Sequence, residues 1–316
     1  MPLNADIDAF LDLADRATTR PLHQLPVADA RAVFATTTEQ LRWPAPAGVQ
    51  AEALSCIARD GYEVGLRLYR PAHSDSPLPV LVFLHGGGFV LGDLNSHDGV
   101  CREFAQRAGC AVLAVDYRLA PEHKFPTALH DAADALAWLA EHAAAHGLDK
   151  QRVVFGGDSV GATLATVLAT QAEHEPAAVA LKPVGQLLCY PVTDASRISE
   201  SMTLFAEGYL LESETLEWFY QHYQRTAEDR HDPRFSPLLA RRLKGIAPAC
   251  MAIAGFDPLV DEGRAYAQRL RDEGVAVEVL ECEGLTHDFL RMGAVTPEVD
   301  GVYRRLVDWL VVRFGG

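Results

Sequence analysis

The sequence predicts an α/β fold: a mostly parallel central sheet of about eight strands, helices on both faces, and a helical cap. Three observations carry that expectation. Continuous apolar runs alternate with helix-period segments from about residue 51 onward, the pattern of strands buried on both faces by helices. The pentapeptide Gly157-Asp158-Ser159-Val160-Gly161 stands between one such run and a helix-patterned segment. Two helical stretches, 1–48 and 196–238, fall outside the alternation.

Residues 1–48 show only helical patterning, as at Ile7, Phe10, Leu11 and Leu13. Ala51 to Ile57 and Glu63 to Tyr69 read as two antiparallel strands joined at the Asp60-Gly61 turn. Six more strands are expected at 80–84, 111–115, 152–155, 185–190, 249–254 and 275–280. Between and after them, Ala132, Leu136 and Leu139, then Leu164, Ala165 and Leu168, then Val299, Val302, Leu306 and Leu310 keep helical spacing. The stretch 196–238 is rich in aromatic residues, with Trp218-Phe219-Tyr220 and Tyr223. Both extra helical sets either roof the strand ends together or extend the core; the pattern is compatible with either. The expected division is 1–48 as the N-terminal part of a cap, 49–195 and 239–316 as the core, and 196–238 as the cap insertion.

Composition narrows the function. With 316 residues, 49% of them hydrophobic, the chain buries a large core. No run of 18 uncharged apolar residues exists and Met1 to Phe10 has no basic segment, so neither a membrane span nor a signal peptide is expected. A formal net charge of −15 repels phosphate backbones and anionic lipid, which argues against nucleic acid or a membrane surface as partner. Cys56, Cys101, Cys110, Cys189, Cys250 and Cys282 are scattered without close pairs, as for buried free thiols in a reducing cytoplasm.

The strand-turn-helix setting of the pentapeptide makes it a nucleophile elbow: the serine sits on a sharp turn at the end of a sheet, and flanking glycines remove side chains that would collide there. A second motif, His85-Gly86-Gly87-Gly88-Phe89, follows the apolar run Val80 to Leu84. Consecutive glycines suit neither strand nor helix, but they let backbone N–H groups turn toward a developing negative charge. The pair points to a serine hydrolase.

Such a serine needs a base and an acid to orient it, in the chain order Ser, Asp or Glu, His. Of the histidines after Ser159, His174 ends the following helix, and His222 and His231 fall in the insert. His287 alone follows a late strand, and it is the expected base. For the acid, Asp257 ranks first because it follows a strand end directly. Asp261 ranks second and Asp288 third, while Glu262 shares the first helical turn with Asp261. Asp257 before Pro258 is also a good helix N-cap.

These motifs, with Asp116-Tyr117-Arg118-Leu119-Ala120-Pro121-Glu122, Asp257-Pro258-Leu259, Asp261-Glu262-Gly263 and His287-Asp288-Phe289, resemble the hormone-sensitive-lipase family of bacterial esterases (bacterial family IV) in the alpha/beta-hydrolase superfamily. The likeness runs from about residue 50 to the end, and Glu207-Gly208-Tyr209 through Tyr223 resembles the lid helix of that family. It implies Ser159 as nucleophile, His287 as base and Asp257 as acid. It also implies oxyanion donors from the N–H groups of Gly86, Gly87 and Val160, with Gly88 shaping the loop. Members of the family cleave esters with short to medium acyl chains, need no cofactor or metal, and often dimerise through the sheet edge.

Two positions depart from the family pattern. Val160 and Ala162 replace smaller residues in the elbow, so a branched side chain is expected to narrow the acyl side. Asp288 stands where a glycine is common, and a carboxylate there is expected to stabilise the protonated imidazole. Arg118 reads as part of a loop brace, with an anionic substrate as the weaker reading. His142 and His146 have i, i+4 spacing but no glutamate between them, which suits a solvated helix face better than zinc. Amide or lactone hydrolysis would use the same triad. Plant hormone receptors share the fold as binding modules but lose the histidine base, and a metal-dependent hydrolase would need a clustered ligand set.

Overall fold

The apolar runs become strands of one eight-stranded sheet in the computed structural model, which describes residues 2–17, 20–72 and 77–315. The strands are β1 (Val49–Ile57), β2 (Glu63–Pro71), β3 (Leu78–Leu84), β4 (Ala111–Asp116), β5 (Leu148–Asp158), β6 (Gly185–Cys189), β7 (Ala249–Phe256) and β8 (Val277–Thr286). Their order across the sheet is β1-β2-β4-β3-β5-β6-β7-β8. β2 pairs antiparallel with β1 and β4, and every other neighbouring pair is parallel. Gly61, at φ 86°, makes the β1–β2 turn, and its N–H donates to the Ala58 carbonyl at 2.8 Å.

Successive side chains of a strand face opposite ways, and the central strands feed two cores. Val80, Val82 and Leu84 of β3 join the core under helices α4 (Thr127–His142), α5 (Val160–His174) and α8 (Val260–Asp272). Leu81 and Phe83 join the core under α1 (Ala5–Ala17), α3 (Asp98–Ala108) and α9 (Glu298–Arg313). Burial on both faces is why these strands read as unbroken apolar runs. β8 lies at the sheet edge and alternates exposed Glu281 and Glu283 with buried Cys282 and Gly284. The apolar run therefore stops at 280 while the strand continues to Thr286.

The helices outside the alternation contact one another. The insert forms α6 (Glu200–Leu204) and α7 (Ser213–Tyr223). The N-terminal stretch forms α1, α2 (Val27–Leu41) and a short 3-10 turn, Leu22–Gln24. His23 of that turn lies 2.9 Å from the Glu214 carboxylate and 3.3 Å from the Thr215 hydroxyl of α7. Tyr223 stacks on Phe89 at a centroid distance of 3.8 Å. α1 also packs downward, since the Asn4 N–H donates to the Gly284 carbonyl and its amide to Glu298.

His142 and His146 end two successive helical segments, α4 and a 3-10 turn, Ala143–His146. α4 ends at His142, and both rings pack against Trp138 at 5.1 and 5.3 Å. No group of three or more His, Cys, Asp or Glu residues among the described ones is arranged to hold a metal ion. All six cysteines are free and buried, and no described helix is long and apolar enough to cross a membrane.

Arg118 is clamped. Its guanidinium meets Asp131 at 2.6 Å and Asp60 at 2.7 Å and lies 4.5 Å over the Tyr62 ring. Asp131 is wholly buried. Arg118 lines a cleft of about 400 Å³ beside α2, but these carboxylates already occupy its charge, so an anionic ligand gains little there. Arg118→Met strands a buried carboxylate and is expected to lower stability by about 3–5 kcal/mol. Urea unfolding checks this, and a loss below about 1 kcal/mol would show that the pair braces nothing.

Candidate active site

β5 and α5 meet at Ser159, whose backbone takes φ 54° and ψ −124°. Non-glycine residues rarely adopt that conformation. It is held because the Ser159 N–H donates to the Cys189 carbonyl at the end of β6, at 2.9 Å. Glycine is required at 161: a Cβ there would run into the Leu84 carbonyl oxygen at the end of β3. The turn thus lies directly against the neighbouring strand ends and projects the serine between them.

His287 follows the last residue of β8. Its Nε2 is 3.0 Å from Ser159 Oγ and its Nδ1 is 2.7 Å from Asp257 Oδ2. Ser159 and His287 are each 6% exposed and Asp257 is 1% exposed, so water screens these contacts little. Burial alone would lower the imidazole pKa, but the charge and hydrogen bond of Asp257, with Asp288 and Asp158 behind, outweigh it and leave it raised. The Tyr190 ring, 4.6 Å from the imidazole, limits its rotation.

The structure separates the acid candidates. Asp257 is not the N-cap of α8, which begins three residues later at Val260. Its Oδ1 accepts the Leu259 N–H at 2.9 Å, closing a turn ahead of the helix and aiming Oδ2 at the imidazole. Asp261 instead accepts the Ser201 N–H at 2.8 Å and ties α8 to α6. Asp288, at φ 68°, holds the left-handed position that glycine often fills. It forms an ion pair with Arg291, whose Nε lies 2.8 and 3.0 Å from the two carboxylate oxygens. The expected influence of Asp288 on His287 is therefore tempered by a neighbouring cation. Nothing in the sequence marks Arg291 as a site residue. It is buried, also reaches the Thr38 hydroxyl, and lies 3.9 Å over the Phe34 ring.

The glycine loop follows β3. Its His85 ring stacks on Tyr117 at 4.3 Å, the Tyr117 hydroxyl donates to the His85 carbonyl at 2.6 Å, and His85 Nδ1 donates to the Gly86 carbonyl at 2.8 Å. Burial, with His97 nearby, pushes the His85 imidazole down to about 4, so it is neutral at pH 7. The Gly86 N–H donates to Asp158 Oδ1 at 2.9 Å, which removes it from the expected donors facing the serine. The N–H groups of Gly87, Gly88 and Val160 donate to no acceptor among the described residues. Gly88, at φ 63°, lies so close to the Phe219 ring of α7 that a Cβ would overlap it.

This fold belongs to a known class. A family model described as the alpha/beta hydrolase fold matches residues 81–291. The ethyl acetate hydrolase of Pseudomonas putida is 47% identical over 308 residues, covering 95% of this chain and 96% of that protein. The crystal structure of a thermostable esterase from Pseudomonas putida superposes with a TM-score of 0.94 at 34% identity, covering 99% of this chain and 98% of that one. An ester hydrolase from the metagenome of Lake Arreo, in complex with a bipyridine phosphonate derivative, gives 0.93 at 36% identity, covering 99% of this chain and 100% of that one. The chain belongs to the alpha/beta-hydrolase family, and its resemblance to the hormone-sensitive-lipase esterases is borne out.

Glu262, expected as an ordinary first-turn acid, is buried. Its Oε1 accepts the Thr193 N–H at 2.6 Å and the Asp194 N–H at 3.2 Å. Burial pushes the carboxyl up to about 8, although these two donors favour the ionised form. The native chain then keeps a proton that the unfolded chain releases near its ordinary value of about 4.3, so stability falls as pH rises from there to about 8 and levels off above. The wild type is expected to lose on the order of 3–5 kcal/mol across that window relative to Glu262→Gln. Urea unfolding of both proteins at pH 5, 7 and 9 measures it; identical pH slopes would show that Glu262 ionises like a surface acid.

Proposed function

We propose that this protein cleaves short- to medium-chain acyl esters through an acyl-enzyme intermediate, with Ser159 as nucleophile, His287 as base and Asp257 as acid. That it is a carboxylic ester hydrolase follows from its family and its esterase relatives. The observation that carries the mechanism is the position of His287, within hydrogen-bond reach of both Ser159 Oγ and Asp257 Oδ2.

In this reading, Ser159 Oγ attacks the ester carbonyl as His287 Nε2 takes its proton. Asp257 holds the Nδ1–H and stabilises the imidazolium that forms. The imidazolium gives its proton to the departing alkoxide, leaving an acyl-serine. Water, deprotonated by the same nitrogen, then releases the acid. The carbonyl oxygen becomes an oxyanion and needs donors already in place. Gly87, Gly88 and Val160 supply them; Gly88 takes the part expected of Gly86, whose N–H is committed to Asp158. Residues 1–48 and 196–238 form the cap. The His23 contacts with α7 and the Phe219 contact with Gly88 support that assignment, and Val160 shortens the acyl pocket beneath it.

Ser159→Ala is expected to fold normally and lose about six orders of magnitude in kcat, because the triad acts as a unit. Diethyl nitrophenyl phosphate should label Ser159 once per chain, as mass spectrometry would report, and label at another serine would sink the assignment. Asp257→Asn should cost about four orders of magnitude by favouring the wrong tautomer.

The neutral imidazole is the active form, so the raised His287 value places the acid limb of the rate profile above the ordinary value of about 6.5. Activity falls as pH drops through that limb. In Asp257→Asn the residual limb should move to lower pH; an unmoved limb would mean that another group titrates.

A capped pocket has finite depth, so kcat/KM should peak at acyl chains of about four to eight carbons, each fitted methylene adding ~0.8 kcal/mol until the pocket is full. A nitrophenyl ester series measures the profile. A rise continuing to sixteen carbons would point to an open lipase-like groove.

A further inference from the structure

We infer that Asp158 is the positioning residue of the oxyanion loop: its buried carboxylate, one residue before the nucleophile, holds Gly86 and so sets Gly87 and Gly88 at a fixed reach from Ser159. The inference rests on the reading of Ser159 as nucleophile and of Gly87, Gly88 and Val160 as donors.

The carboxylate points away from the reacting serine and into the loop. Asp158 and His97 are each 2% exposed. Oδ1 accepts the Gly86 N–H at 2.9 Å, and His97 Nε2 lies 3.3 Å from the carboxylate. The approach is so close that a Cβ on Gly86 would overlap Oδ2. The first glycine of the motif thus makes room for Asp158, while the N–H groups of the next two have no acceptor among the described residues. Burial alone would raise the Asp158 carboxyl, but the charge and hydrogen bond of His97 outweigh it and keep it below the usual carboxylate value.

The tether is anchored at both ends of the loop. His97 Nδ1 lies 2.9 Å from Ser96 Oγ. The Ser96 hydroxyl donates to the Asp93 carbonyl at 2.8 Å, and the Asp93 carboxylate accepts the Ser96 N–H at 2.7 Å. A chain of hydrogen bonds therefore leaves the elbow at Asp158 and returns to the far end of the segment that begins at Gly86. Backbone donors have no side chain to adjust, so their catalytic value depends on where the loop is held. Because Asp158 and Ser159 are adjacent, donors and nucleophile move as one unit. Asp158 touches no reacting atom.

The test compares ground-state and transition-state binding. Asp158→Ala is expected to lower kcat for nitrophenyl acetate about 100-fold, the order seen when one oxyanion donor is lost, with KM within about threefold. Affinity for a trifluoromethyl ketone, which forms a tetrahedral oxyanion on serine, should fall in parallel; affinity for the matching alcohol should not. Asp158→Asn keeps an acceptor for Gly86 and should restore kcat to within about tenfold of wild type.

A folded Asp158→Ala with kcat within about threefold of wild type, or with both inhibitors weakened alike, would overturn the inference. If Asp158→Ala does not fold, Asp158→Glu carries the test. Its extra methylene displaces Gly86, so its kcat should fall at least about tenfold below that of Asp158→Asn; equal values would also overturn it. Stoichiometric phosphate labelling of Ser159 tests the underlying mechanism separately, so the positioning role fails alone only when that labelling succeeds.

Discussion

Everything at the strand ends depends on the left-handed backbone of Ser159. A non-glycine residue at φ 54° costs on the order of 1–3 kcal/mol, and surrounding contacts must hold it there. The bond from the Ser159 N–H to the Cys189 carbonyl ties the turn to β6, and the bare backbone of Gly161 lets it lie against β3. The serine is thereby aimed at the end of β8, where His287 waits. One strained residue sets the geometry that three neighbouring strands share.

The same region is tied together by buried titratable side chains outside the Ser159, His287 and Asp257 cluster. Asp158 binds the glycine loop, Glu262 binds the segment after β6, and Arg291 binds Asp288 and reaches Thr38 of α2. Asp158 and Glu262 accept from backbone N–H groups that regular structure leaves unpaired, and Arg291 links two side chains. Loops at the carboxyl ends of parallel strands carry many such groups, and a buried carboxylate with two acceptor oxygens bridges two of them at once. The cost is desolvation, which shows in the Glu262 carboxyl pushed up to about 8.

The departures from the family pattern find local explanations. Asp tolerates the left-handed conformation better than most residues, so it can stand at 288 in place of glycine, and Arg291 three residues later balances its charge. Val160 is buried beside the serine and still offers its N–H, since a side chain does not alter a backbone donor.

Much of this was legible in the chain. Continuous apolar runs marked the strands that two helical layers cover, and the Gly-Asp-Ser-Val-Gly and His-Gly-Gly-Gly motifs marked turns that few other residues can make. Chain order picked out His287, and adjacency to a strand end favoured Asp257 over Asp261. The apolar run stops short of the end of edge strand β8 because residues 281–284 alternate between exposed and buried. What the tertiary structure alone decided was which polar atoms meet. Gly86 and Asp158 are 72 positions apart, and only packing shows that one N–H is spent on the other's carboxylate. Arg291 and Glu262 look like surface residues until the fold buries them. Local sequence specifies periodicity and turn chemistry because those depend on near neighbours, whereas burial and hydrogen-bond partnership depend on residues brought together from distant parts of the chain.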